Sequence, residues 1–296
     1  MSLPTTRPLV MGVLNVTADS FSDGGRYLSR DAALDRGRRM IAEGADIVDV
    51  GGESSRPGAV PIDQVEELRR VVPVVEALAG EVRVSIDTVK PQVARAAVAA
   101  GATLVNDVSA SLAAVAADVG AGYVVMHRQG TPRTMQRAPH YGDVVDEVRA
   151  FLAQGADRAA GLGIDEVWID PGIGFGKTMA HNLALLAHLD QLVELGRPVL
   201  VGTSRKGFLG TLVGRSDGRG AWPAVPDEPV RAPDDARRAE ITSPSEPAPV
   251  DDRLEASLAT ATWAMAQGAR MVRVHDVAAT VQAAHLVGAG GPGSTW

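Results

Sequence analysis

The chain has 296 residues, with 29 Lys and Arg against 36 Asp and Glu, a formal net charge of −7. That balance argues against a nucleic-acid partner, whose phosphate backbone needs a basic face. The absence of cysteine excludes disulfides, thiolate metal sites and a cysteine nucleophile.

Met1 to Pro8 holds no apolar run of signal-peptide length, and no later segment approaches the roughly 18 apolar residues of a membrane span. A cytoplasmic protein with no membrane partner is therefore expected. Short apolar, β-branched runs then recur at 9–14, 46–50, 82–86, 103–106, 122–126, 167–169, 198–201 and 270–274, each the length of one buried parallel strand. Between them, helical spacing of apolar residues predicts helices over 31–43, 62–78, 91–99, 144–160, 183–195 and 254–267. Gly44, Gly101 and Gly268 stand just before strands, where a helix ends in the left-handed conformation. Strands alternating with helices imply right-handed crossovers and an α/β fold, either an open doubly wound sheet or a closed (β/α)8 TIM barrel. The count of eight favours the barrel. Such a barrel takes about 250 residues as one domain, so 1–296 is expected to be a single barrel rather than two domains.

One stretch breaks the rhythm. From Arg215 to Asp252 no apolar periodicity survives, seven of the 18 prolines gather, and nine acidic residues outnumber five arginines. A segment so poor in apolar area cannot offset the entropy of ordering itself. It is expected to be a long, disordered insert between strand 7 and the helix that begins near 254.

In a βα barrel the chemistry sits just after the C-terminal ends of the strands. Unusual polar residues fall there in turn: Asn15 and Asp19 after strand 1, Glu53, Ser55 and Arg56 after strand 2, and Asp87 and Thr88 after strand 3. Asn106 and Asp107 follow strand 4, Met126, His127 and Arg128 strand 5, Asp170 to Lys177 strand 6, Ser204 to Lys206 strand 7, and Arg273 and His275 strand 8. Any one of these could merely cap the next helix; a polar group at every strand end of one rim is not explained by capping. Asp87, Asn106 and Asp170 could meet a ring edge of alternating donors and acceptors, such as a pterin or guanine. Arg273 can stack flat on a ring. Arg273, His275 and Asn15 come from neighbouring strands and suit an anion, with Asn15 also able to ligate a hard cation such as Mg²⁺. Three motifs are set aside. The stretch from Gly172 to Thr178 lacks the first glycine of a P-loop, Asn15-Val16-Thr17 follows no secretory signal, and His127, His140 and His181 lack metal-ligand spacing.

Seven segments carry a family resemblance: MGVLNVTADSFSDGG (11–25), DIVDVGGESSRPGA (46–59), 84–110, 124–136, IDPGIGFGKTMAHNLALL (169–186), VLVGTSRKGFLG (199–210) and ARMVRVHDV (269–277). In this order, nearly end to end, they resemble the dihydropteroate synthase family, the folate-pathway transferases that sulfonamides inhibit. The resemblance implies condensation of 6-hydroxymethyl-7,8-dihydropterin pyrophosphate with 4-aminobenzoate, giving 7,8-dihydropteroate and pyrophosphate, with Mg²⁺ as cofactor and usually a homodimer. The positions matching the family's pterin pocket are Asp87, Asn106, Met126, Asp170 and Lys206, with Arg273 stacked on the ring. Those matching its pyrophosphate and Mg²⁺ site are Asn15, Asp19, Arg273 and His275. Those matching its aminobenzoate site are Phe21, Ser55, Arg56, Pro57, Phe175, Ser204 and Lys206. Asp87, Asp170, Lys206, Arg273 and His275 would carry the reaction. Ala18, Ser55 and Arg128 depart from the commoner family residues. The alternatives are a methyltetrahydrofolate-dependent methyltransferase, which needs neither Arg56 nor the Ser204–Lys206 triplet, and an inactive pterin-binding paralogue.

Overall fold

The computed structural model of the chain describes residues 7–16, 26–54, 58–214 and 247–289. Within them eight parallel strands alternate with helices: β1 (Leu9–Asn15), α1 (Arg26–Ala42), β2 (Ile47–Gly51), α2 (Gln64–Leu78), β3 (Arg83–Asp87), α3 (Pro91–Ala99), β4 (Leu104–Asp107), α4 (Ala113–Asp118), β5 (Gly122–Met126) and α5 (Val144–Gly161). Then come β6 (Val167–Asp170), α6 (Met179–Ala187), α7 (Leu189–Val193), β7 (Leu200–Val201), α8 (Gly207–Gly214), α9 (Leu254–Ala266), β8 (Met271–Val274) and α10 (Val277–Ala289). The strands run β6-β5-β4-β3-β2-β1-β8-β7, and the ends of that order meet. Ile169 bridges Val199 in parallel, its N–H donating to the Pro198 carbonyl at 3.1 Å. The sheet is thus a TIM barrel, as the alternation predicts. Pro198 has no N–H to give, so this last seam is a single bridge and β7 is shorter than its apolar run.

The period of two within each strand sorts the interior from the exterior. In β2, Val48 and Val50 face outward into the layer under the helices, where Val71, Val74 and Leu78 of α2 meet them. Ile47 turns inward and joins Leu9, Met11, Leu104, Val124, Trp168, Leu200 and Met271 in a separate apolar plug. This plug closes the N-terminal end of the barrel. Above it the inward positions turn polar, with Asp49 and Ser85 paired across β2 and β3 and Asp87 beside Asn106 across β3 and β4.

Three helices were not foreseen: α4, α8 and α10. All are short or rich in Ala and Gly, so their sequences lack the polar–apolar contrast that marks a helix face. The helix expected over 183–195 is instead two, broken at His188, whose φ of −114° and ψ of 34° are not helical. Most of the segment expected to be a disordered insert, 215–246, lies outside the described residues. Its last six residues are ordered: the Ala248 N–H donates to the Gly210 carbonyl of α8 at 2.9 Å, and the Ala248 carbonyl accepts from Arg253 Nε and Nη2 at 2.9 and 2.6 Å.

Candidate active site

The C-terminal ends of the strands open into a cleft of about 680 Å³, lined by Asn15, Phe175, Ser204, Lys206, Arg273 and His275 among others. Beneath it lies a pocket of only about 20 Å³ between Asp87, Asn106, Met126, Asp170, Lys206 and Arg273. Asp19, Phe21, Ser55, Arg56 and Pro57 lie outside the described residues. The other residues expected to hold the substrates, from Asn15, Asp87, Asn106 and Met126 to Asp170, Phe175, Ser204, Lys206, Arg273 and His275, each stand on one of these two cavities, whereas Glu53, Thr88, Asp107, His127 and Arg128 line neither.

Arg273 organises the pocket. Its Nε donates to Asp49 Oδ2 at 2.7 Å and its Nη2 to Asp87 Oδ2 at 2.8 Å. Both bonds use N–H groups at the edge of the guanidinium, so neither occupies its flat face. Asn106 Nδ2 donates to the same Asp49 oxygen at 2.9 Å. Asp170 Oδ1 accepts the Gly172 N–H at 2.7 Å. Lys206 stands with its ammonium 4.1 Å from the centre of the Phe175 ring, a cation–π contact. Met126 forms the apolar wall with Val108, Met135 and Phe175.

At the rim Ser204 Oγ lies 3.0 Å from His275 Nδ1 and accepts the His275 backbone N–H at 3.1 Å. Asn15 ends β1 with its Oδ1 over Gly51 at the end of β2.

Burial dominates the electrostatics. It pushes Asp87 up to about 7 against the pull of Arg273, and it pushes Asp170 up against the Gly172 N–H and Lys206. Burial, helped by Arg273, brings Lys206 down to about 8, with Asp170 and Asp87 opposing. The mouth thus gathers acids and cations whose charges are poorly solvated, which is how groups are tuned for work near neutral pH.

One buried group escaped the sequence reading, and a second was placed at the rim without its partners. Asp49 is fully buried inside β2; the signal was an acidic residue at an inward position of an otherwise apolar strand. Lys177, 2% exposed, closes the glycine-rich stretch set aside as a failed P-loop. Its ammonium meets His127 Nδ1 at 2.9 Å and donates to the carbonyls of Gly172 and Phe175 at 3.0 and 3.2 Å. Burial brings Lys177 down to about 7 and His127 down to about 3, so His127 is the neutral acceptor. The glycines serve the same stitching. A Cβ on Gly172 would lie 1.8 Å from the His127 carbonyl oxygen, and one on Gly176 would lie 2.3 Å from that of Gln129. They let the loops after β5 and β6 touch backbone to backbone. Asp107 proves structural, accepting from Ser111 N, Leu112 N and the Tyr123 hydroxyl at 2.6, 2.7 and 2.9 Å. Glu53 and Thr88 likewise tie loops together: Glu53 pairs with Lys90 at 2.6 Å, and Thr88 donates to the buried Glu67 at 2.6 Å.

Against known proteins, the family described as pterin binding enzymes matches residues 11–275. A dihydropteroate synthase of Mycobacterium leprae is 47% identical over 289 residues, covering 95% of this chain and 92% of its own. The dihydropteroate synthase of Yersinia pestis, solved in a sulfonamide drug complex, superposes with a TM-score of 0.81 at 40% identity, covering 98% of this chain and 96% of its own. That of Xanthomonas albilineans, solved with 4-aminobenzoic acid, gives 0.80 at 44% identity, covering 97% and 94%.

Proposed function

The chain belongs to the pterin-binding enzymes, in their dihydropteroate synthase branch, and from that premise we propose how its barrel mouth works. It is a transferase that condenses 6-hydroxymethyl-7,8-dihydropterin pyrophosphate with 4-aminobenzoate, giving 7,8-dihydropteroate and pyrophosphate. The observation that carries the residue assignment is the Asp87–Asn106–Asp170 floor with Lys206 and Arg273 shared between pocket and cleft. The pterin lies in the pocket, its polar edge on Asn106 and Asp170 and its face against Arg273. Seating the ring requires the small pocket to open. The aminobenzoate lies in the cleft beside Phe175, Ser204 and Lys206, completed by Phe21, Ser55, Arg56 and Pro57.

The pterin methylene–oxygen bond breaks first. Arg273 and His275 take up the charge growing on the departing pyrophosphate, and Asp19 is assigned to the same site by the family resemblance. The ionised carboxylates of Asp87 and Asp170 stabilise the cationic methylene. The aniline nitrogen attacks that carbon, and its surplus proton leaves for solvent. The amine is nucleophilic enough to need no strong base.

Asn15 offers a neutral amide oxygen, the hard donor that Mg²⁺ takes, and no cage of three or more His, Cys, Asp or Glu is gathered among the described residues. That donor set fits an ion held chiefly by water and the substrate's phosphate oxygens. When bound, Mg²⁺ would supply further positive charge to the leaving pyrophosphate.

Residues 1–296 read as one barrel, with 215–252 as its insert. No described helix is long and apolar enough to cross a membrane; a cytoplasmic location follows from the same reading and is checked by fractionation. Trp263 of α9 and Leu286 of α10 are 50% and 68% exposed on neighbouring helices, a surface that suits a homodimer; a monomer in sedimentation would reject it. The activity itself is tested by incubating the protein with the pterin pyrophosphate, 4-aminobenzoate and Mg²⁺ and measuring dihydropteroate. Product at a rate above the enzyme-free control is expected, and its absence across pH and salt would reject the function.

A further inference from the structure

Asp49 lines neither cavity, yet it holds two of the groups that do. It is 0% exposed. One oxygen, Oδ2, accepts both Arg273 Nε at 2.7 Å and Asn106 Nδ2 at 2.9 Å. The other, Oδ1, has no hydrogen-bond partner in its buried position, so the whole grip runs through a single atom.

That sharing has a chemical consequence. A side-chain amide can turn over, exchanging its N–H₂ for its oxygen, and nothing in its shape prefers one way. Here the arm facing Asp49 must be the N–H₂, because Oδ2 acts as an acceptor and an amide oxygen turned toward it would set two acceptors face to face. The Asn106 carbonyl oxygen is therefore the arm presented to the pocket. An amide fixed this way presents its carbonyl oxygen to the pocket as an acceptor, with one of its two N–H groups spent on Asp49. It welcomes a ring edge that donates N–H and rejects one that presents a lone pair, since the latter would leave two acceptors facing each other out of water.

We propose that Asp49 is the positioning residue that sets ring selectivity in the pterin pocket, by fixing the Asn106 amide with its oxygen toward the substrate while holding Arg273 alongside. The proposal rests on the pterin reading of the pocket. Asp49 does not touch the ring. Its influence travels through Asn106 and Arg273, both of which keep their places on β4 and β8 when it is removed. Loss of Asp49 frees the amide to turn and leaves Arg273 on Asp87 alone.

The test is a double-mutant cycle read in pterin pyrophosphate affinity by calorimetry, with the KM for 4-aminobenzoate as the second readout. Wild type, Asp49→Ala, Asn106→Ala and the double variant are compared, with melting temperatures to confirm folding. Asp49→Ala is expected to weaken pterin binding by about 30-fold or more with the aminobenzoate KM changed less than about 3-fold. In the Asn106→Ala background the same change is expected to cost less than about 5-fold, because the amide it orients is gone. Should Asp49→Ala not fold, Asp49→Ser, too short to reach both partners, takes its place in the cycle. Full additivity, or equal loss for both substrates in step with the melting temperature, would overturn the proposal and reduce Asp49 to a structural acid. If the wild type itself does not bind the pterin pyrophosphate, the pterin reading fails and the proposal falls with it. If wild type and Asp49→Ala bind alike, the proposal alone is wrong.

Discussion

Lys206 stands where the pocket and the cleft meet, over the Phe175 ring and between Arg273 and two acids. Removing such a preorganised cation from a poorly solvated site costs on the order of 10²–10³ in rate. Lys206→Ala is therefore expected to lose turnover by at least that factor. It should melt no lower than wild type, since the ammonium gives up hydration without an ion pair among the described residues to replace it. Near-normal activity would remove Lys206 from the chemistry. The acid–base consequence is a bell. Asp87, raised to about 7 by burial, must lose its proton to stabilise a cation, so kcat/KM for the pterin substrate rises as pH passes 7. Lys206, lowered to about 8, loses its charge above that, so the profile then falls. In Lys206→Arg, whose guanidinium stays charged, the falling limb should move to much higher pH. A limb left at the same place would assign it to another group.

The loop between β6 and α6 shows how an element can look like one motif and serve another purpose. Its glycines resemble a phosphate cradle in sequence, but in space they admit the carbonyls of the neighbouring loop, and Lys177 ties both loops to itself. Two substitutions separate conformational strain from crowding. Gly163 and Gly172 both have positive φ, 85° and 64°, but a Cβ at Gly163 meets nothing within 4 Å. Gly163→Ala should therefore cost only the left-handed strain, about 1–2 kcal/mol of stability, with activity unchanged. Gly172→Ala must also push the His127 carbonyl away. It should displace Asp170's loop and cut kcat/KM by about 10²-fold or more, the scale of a misplacement of roughly 1 Å. Equal, mild effects would show the close approach to be unimportant. The segment after α8 divides in the same spirit. A deletion of 218–246 should leave activity within a few-fold, whereas one carried through 249 removes Ala248 and its bonds to Gly210 and Arg253 and should lower the melting temperature. A large loss of activity from the shorter deletion would make the insert part of the site.

At the scale of the whole molecule, the barrel was legible because each strand repeats one division of labour: apolar residues outward, an apolar plug at the bottom, polar groups at the top. The alternation of Ile47, Asp49 and Gly51 with Val48 and Val50 states this rule in five residues. The rim was legible for the same reason, since a polar residue follows every strand. The partnerships were not. Asp49 meets Arg273 across 224 positions of chain, and Lys177 meets His127 across 50; no local spacing encodes either contact, and both acquire meaning only when the barrel closes. The helices α4, α8 and α10 were hidden by their uniform Ala and Gly content rather than by distance. The central claim is that this closure makes one pterin floor from Asp87, Asn106 and Asp170. It is tested most directly by a crystal structure of the protein with 7,8-dihydropteroate bound. The account predicts the pterin ring against the face of Arg273, with the Asn106 carbonyl oxygen and an Asp170 carboxylate oxygen each at about 3 Å from ring N–H groups. A ring seated elsewhere in the barrel mouth, or one meeting Asn106 through its N–H₂, would contradict it.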